Sequence, residues 1–192
     1  YWFDWLADSR TLYVKYNICR EDPALPIATF ASALIDAAGE NKPERIVFDF
    51  RHNTGGSDAP FRDLMNRLGE ALVTGRYAYP PKGAFAIIGR QTFSSGLSAA
   101  FDLMQNGVML VGEPTGGKPS APGNVVGFVF PNTRILSQFS TTPFVRKGFE
   151  SVESLMPDAA VDPTIDDVAA ERDPFLERIL TLTAPSPQRP QR

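Results

Sequence analysis

The stretch Thr92–Lys118, TFSSGLSAAFDLMQNGVMLVGEPTGGK, decides how this chain is read. It follows an apolar run, Ala84–Ile88 (AFAII), and contains a second, Val108–Val111 (VMLV). Between the two runs Leu97, Ala100, Phe101 and Met104 recur at helical spacing, and Asn106-Gly107 ends the pattern. Strand, helix and strand in this order predict a βαβ unit, with the helix starting at Ser95 or Gly96. A serine pair, Ser94 and Ser95, lies at the strand-to-helix junction, and Lys118 lies in the Gly/Pro loop after the second strand.

The same alternation continues upstream. Thr11–Tyr16 alternates as a half-buried strand, and apolar residues at helical spacing run from Pro26 to Ala38, ending near Gly39. Arg45–Phe50 is a short apolar strand leading into a diglycine, Gly55-Gly56. A helix with the stripe Phe61, Leu64, Met65, Leu68 and Leu72 follows from Pro60. The rings at Tyr1, Trp2, Phe3 and Trp5 are expected to pack on the domain or on what precedes it. Downstream the character changes. Asn124–Phe130 and Arg134–Ser140 predict two strands joined at Pro131-Asn132, and 151–167 reads as an acidic loop. Asp173-Pro174 opens a last helix. Residues 183–192 are Pro-rich and polar, and are expected to be a disordered tail. The fold class is therefore α/β, a mainly parallel sheet with flanking helices and a β-rich C-terminal section.

Bulk properties remove several functions. The 192 residues fit one domain, and a net charge of −3 argues against a nucleic-acid binder. One cysteine and one histidine allow neither a disulfide framework nor a thiolate or multi-histidine metal site, and no cofactor is implied. No apolar run is long enough to span a bilayer. Gly112–Lys118 has the spacing of a phosphate-binding loop. That motif needs Ser or Thr after the lysine and a helix beginning there, whereas Pro119 follows here.

In parallel sheets, sites form beyond the carboxyl ends of the strands. Three such loops carry the diglycine, the serines and the lysine. Ser94, at a helix N-terminus, has unpaired N–H groups and the helix dipole behind it, which suit an oxyanion; the same position suits a simple N-cap. Lys118 is a general base only if neutral, and is otherwise a solvated surface charge. A serine needs a base to become nucleophilic. That base is either His52, the one histidine, or Lys118 in a dyad.

Together VFDFRHNTGG (47–56), TFSSG (92–96) and VGEPTGGK (111–118) resemble the C-terminal processing, or tail-specific, protease family, the S41 serine peptidases. The first resembles its DLRxNxGG strand and loop, the second lies at its nucleophile motif, and the third is close to its GEPTxGK loop. The resemblance implies a ClpP/crotonase-like fold and a catalytic domain over residues 1–182, read as part of a longer chain. It implies a serine endopeptidase cleaving extended segments or C-termini. Ser94 is then the nucleophile, with Ser95 as the fallback, and Lys118 is the base. The N–H groups of Gly55 or Gly56 and of Ser95 form the oxyanion hole, while Asp49 and Arg51 hold the glycine loop. A polypeptide substrate and a periplasmic or extracellular setting are implied by resemblance alone; the oligomeric state is left open. The family's SASE stretch reads SSGL here, with Leu97 at the acidic position, and Pro122 stands where a glutamine is common. These departures keep a second reading open, a catalytically inactive module that binds a peptide or other ligand.

Overall fold

The four inner strands of this protein are apolar almost throughout, as strands covered on both faces must be. In the computed structural model, which describes residues 1–185, they form the middle of one six-stranded sheet. Its strands are β1 (Trp2–Leu6), β2 (Thr11–Lys15), β3 (Arg45–Asp49), β4 (Ala84–Ile88), β5 (Met109–Gly112) and, further on, a two-residue strand at Ala159–Ala160. They lie in sequence order across the sheet; β1 is antiparallel to β2 and the rest are parallel. Helices α1 (Ile27–Asn41), α2 (Asp58–Val73) and α3 (Ser95–Gln105) make the crossovers. Because parallel crossovers are right-handed and the strand order advances one way, all three helices must cover the same face.

Side chains alternate across each strand, so every strand feeds two cores. Leu12, Val14, Ile46, Phe48, Ala86 and Leu110 point toward α1–α3. Tyr13, Val47, Phe85, Ile87 and Val111 form the other face, covered by Phe175 and Ile179 of the final helix, Pro174–Leu180. Between β5 and that helix, β6 (Ala121–Val129) and β7 (Leu136–Phe144) pair only with each other as an antiparallel hairpin. The two-residue strand at Ala159–Ala160 is β8, a short helix at Ile165–Ala169 is α4, and the final helix is α5. No helix of the described residues is long and apolar enough to cross a membrane.

Several local expectations change. Residues 2–6 are an edge strand. Their rings do pack on the domain, Tyr1 stacking on Tyr16 at 5.6 Å and Phe3 meeting Phe30 edge-on. Helix α1 passes through Gly39 and ends at Asn41, with Lys42 in the left-handed conformation. Gly39 is needed for space, since a β-carbon there would lie 2.6 Å from the Arg76 carbonyl oxygen. Part of the expected acidic loop forms β8 and α4, elements too short to show periodicity in sequence. Of the expected tail, residues 186–192 lie outside the described residues. Ala184 is buried, its N–H donating to the Lys82 carbonyl at 2.9 Å.

Candidate active site

Three loops leave the carboxyl ends of β3, β4 and β5, and short hydrogen bonds tie them into one frame. From the middle loop, buried Thr92 donates its hydroxyl to the Phe50 carbonyl and accepts from the Gly89 N–H, both at 2.9 Å. Phe93 N–H donates to the Asn53 carbonyl at 3.0 Å, and Gly116 N–H donates to the Thr92 carbonyl at 3.2 Å. Asn53 is fully buried and anchors the diglycine loop. Its amide donates to the Tyr16 carbonyl at 2.6 Å, while its Oδ1 accepts from the Gly55 N–H at 2.9 Å. A buried asparagine satisfied on both sides fixes a loop as firmly as a turn of secondary structure does.

Ser94 sits where this frame converges. Its backbone has φ 52 and ψ −127, a left-handed conformation that costs a non-glycine residue of the order of 1–3 kcal/mol. A serine on such a strained strand-to-helix turn has its hydroxyl lifted clear of the sheet, as in nucleophile elbows. Ser94 is exposed, and among the described residues its hydroxyl takes no hydrogen-bond partner, so it does not cap the helix. The Ser95 hydroxyl is engaged, donating to the Gly56 carbonyl at 2.9 Å. Ser94 thus holds the N-cap position without a side-chain cap bond, and of the two serines only Ser94 has a free hydroxyl.

Two glycines let the turn form. A β-carbon on Gly55 would lie 2.6 Å from Ser94 Cβ, at a backbone φ of 109. A β-carbon on Gly96 would lie 2.6 Å from Asn53 Oδ1. Gly55→Ala should therefore lower the urea midpoint by an amount equivalent to about 2–4 kcal/mol, since strain and overpacking coincide. A loss under about 0.5 kcal/mol, usual for a surface change, would show that Gly55 does not shape the turn.

The expected oxyanion donors differ in availability. Gly55 N–H is already committed to Asn53. The N–H groups of Gly56 and Ser95 carry no partner among the described residues, the second because it opens α3. Beside Gly56 a cleft of about 740 Å³ is lined by Ile18, Cys19, Ile27, Ala59 and Pro60, with Arg20, Glu21 and Asp63 among its polar residues. Burial pushes the Cys19 thiol up to about 12, so it is an inert packing residue.

Lys118 makes no hydrogen bond to Ser94. Its Nζ lies 2.7 Å from both carboxylate oxygens of Glu153, with the two side chains 51% and 76% exposed. Its loop nevertheless stays against the site, since a β-carbon on Gly117 would lie 2.7 Å from the ring of Phe93. Leu97 is buried in the core, so the missing acidic residue would have had no water to face.

His52 is also elsewhere. Its Nδ1 lies 3.3 Å from Lys15 Nζ, and burial together with the Lys15 charge lowers its pKa. Lys15 belongs to a buried cluster that sequence reading only half foresaw. Fully buried Asp49 accepts from Tyr13 and, at 2.7 Å, from Lys15, and Arg51 Nε lies 2.9 Å from the same oxygen. Arg51 then grips Asp173 with both terminal nitrogens, at 3.0 and 2.7 Å, and stacks over Phe175. Asp49 and Arg51 were foreseen as holding the glycine loop. In the structure Arg51, paired with Asp49, fastens α5, because Asp173 is its N-cap. A lysine closing an otherwise apolar strand, as Lys15 does, was the available sequence signal for the cluster. Glu153 gave none.

Comparison with solved structures locates this architecture. A candidate peptidase from Parabacteroides merdae superposes with TM-score 0.66 at 18% identity, covering 93% of this chain and 62% of its own. A candidate S41 protease from Bacteroides fragilis gives 0.58 at 17%, covering 90% and 52%. This is the fold of the S41 peptidases. The photosystem II D1 C-terminal processing protease gives 0.51 at 15% identity, covering 80% of this chain and 42% of its own. The S41-like chain thus spans between about half and two thirds of the first two proteins it resembles. No family model matches the sequence, and no curated protein does.

Proposed function

We propose that this S41-like domain is a serine peptidase in a resting arrangement, with Ser94 as its nucleophile. The observation that carries the reading is the strained, exposed and unpartnered Ser94 hydroxyl at the opening of α3, next to the free N–H of Ser95. An ordinary helix cap would have neither the strain nor the idle hydroxyl. In the reaction, the Ser94 hydroxyl gives its proton to neutral Lys118 while Oγ bonds to the scissile carbonyl carbon. The resulting oxyanion accepts from the N–H groups of Gly56 and Ser95. As the intermediate collapses, the peptide C–N bond breaks and the amine leaves with the proton held by Lys118. Water then hydrolyses the Ser94 ester. Lys118 must leave Glu153 for this to happen. The cleft beside Gly56 is apolar enough to favour a substrate with an apolar side chain near the cut bond.

A fluorophosphonate probe tests the nucleophile directly. Wild-type protein at mildly alkaline pH should be labelled, with the adduct mapped by mass spectrometry to Ser94 and absent in Ser94→Ala. Labelling at Ser95 would reassign the nucleophile, and no labelling at all would remove the hydrolase. A second reading draws on the Lys118–Glu153 pair: a module that binds extended peptides and does not cut them. It predicts peptide binding unchanged in Ser94→Ala, with neither protein hydrolysing the peptide.

A further inference from the structure

Arg146 makes more bonds than closing the β6–β7 hairpin requires. It lies two residues beyond β7, and its backbone already performs that closure: its N–H donates at 2.8 Å to the hydroxyl of Ser120, the residue before β6. The guanidinium reaches elsewhere. One terminal nitrogen donates to the Pro119 carbonyl and the other, at 2.6 Å, to Ser98 Oγ of α3, while its central carbon lies 4.9 Å from the centroid of the Phe101 ring. Phe101 in turn meets Phe149 edge-on at 5.0 Å, and the Phe149 N–H donates to the Arg146 carbonyl at 2.9 Å. The turn that begins at Arg146 is therefore seated on α3.

The two acceptors of the guanidinium flank the site. Pro119 follows Lys118 directly. Ser98 lies one helical turn beyond Ser94, and its N–H donates to the Ser94 carbonyl at 3.0 Å. Arg146 thus bridges the loop that carries the lysine and the helix that the serine turn opens. A planar guanidinium forking to two acceptors fixes direction as well as distance. The loop is also held on its other side. Buried Thr115 donates its hydroxyl to the Gly117 carbonyl at 3.0 Å and accepts from the N–H of buried Leu155 at 2.9 Å. With backbone fixed before and after Lys118, the side chain is the part left to move, and its exposed pairing with Glu153 is weak.

We propose that Arg146 is a positioning residue for the general base: it locks the Lys118 loop to α3, so that the amine passes from Glu153 to Ser94 by turning its side chain and not by moving the loop. The inference rests on the reading of Ser94 and Lys118 as nucleophile and base, and Arg146 acts through the lysine alone.

The rate of fluorophosphonate labelling at Ser94 tests it, in wild type, Arg146→Ala, Lys118→Ala and the two combined. Arg146→Ala should label about 10²-fold more slowly, the cost of misplacing a reacting group by about 1 Å. Added to Lys118→Ala it should cost nothing further, to within about twofold, because no base is left to place. A merely structural arginine would slow labelling by the same factor with or without the lysine. That equality overturns the proposal, and so does Arg146→Ala labelling within about twofold of wild type. Should Arg146→Ala misfold, Ser98→Ala removes one end of the bridge. Its labelling should fall about fivefold, the worth of one hydrogen bond, and only while Lys118 is present. An unchanged rate in Ser98→Ala, or the same loss without the lysine, then overturns the proposal. Failure of the dyad looks different. Unlabelled wild type, or labelling indifferent to Lys118→Ala, removes the dyad and this inference with it. A loss in Lys118→Ala that Arg146→Ala does not share removes this inference alone.

Discussion

Lys118→Ala should slow acylation of Ser94 by about 10²–10⁴-fold, the usual worth of a positioned general base. Its stability should barely move, because the Lys118 side chain is half exposed and its one ion pair lies in solvent. That combination separates a base from a structural lysine, and Lys118→Arg should not restore the rate, since a guanidinium stays protonated. The Glu153 contact supplies a second, opposite test. Glu153→Gln removes the carboxylate that holds Lys118 away from Ser94. An exposed pair is weak, so labelling should rise by no more than about fivefold, and moderate salt should mimic part of the gain. Rates within about tenfold of wild type in Lys118→Ala would remove the lysine from the mechanism.

Asp49→Ala should destabilise the fold by about 3–5 kcal/mol, the cost of leaving buried charge without its counter-charge. Lys15 is only 10% exposed at its side chain and has no other carboxylate partner among the described residues. Arg51 would keep Asp173 but lose its inner contact. The same cluster sets an acid dependence. Burial opposes ionisation of Asp49, but the charges of Arg51 and Lys15, with hydrogen bonds from Lys15 and Tyr13, outweigh it and hold the carboxyl below its ordinary value. A depressed carboxyl contributes fully above its unfolded value of about 3.9. Its contribution is lost as pH falls below that, toward the lower folded value. Urea midpoints measured between neutral and strongly acidic pH should drop over that window in wild type. They should drop less in Asp49→Ala. A loss under about 1 kcal/mol in the variant, as at a surface pair, would mean that the cluster is hydrated.

The parallel sheet was legible because its strands are short apolar runs separated by helices with clear stripes, and the strand-end rule placed three loops together. Ser94 was legible as a position and not as a state. Nothing local distinguishes a serine that caps a helix from one held at φ 52, since the difference arises from Asn53 and Gly55 on another loop. The oxyanion donor was left as Gly55 or Gly56, and the buried Asn53 amide divides the two by taking the Gly55 N–H. Lys118 too was legible as a position and not as a state. Its partner Glu153 lies 35 residues away, beyond an excursion of the chain, the hairpin, whose course no periodicity reports. Edge strand β1 escaped because five residues with mixed exposure carry little alternation. Long-range pairing, not local preference, determined each of these outcomes.

Asp173 caps α5 and at the same time closes on Arg51, two residues beyond the end of β3. The last helix is therefore latched to the strand that leads into Gly55. Undocking α5 would uncover Phe85, Ile87 and Val111 and release Arg51 in one event. The freed guanidinium lies two residues before Asn53, the anchor of the diglycine loop, so loosening at the last helix reaches that loop along the chain.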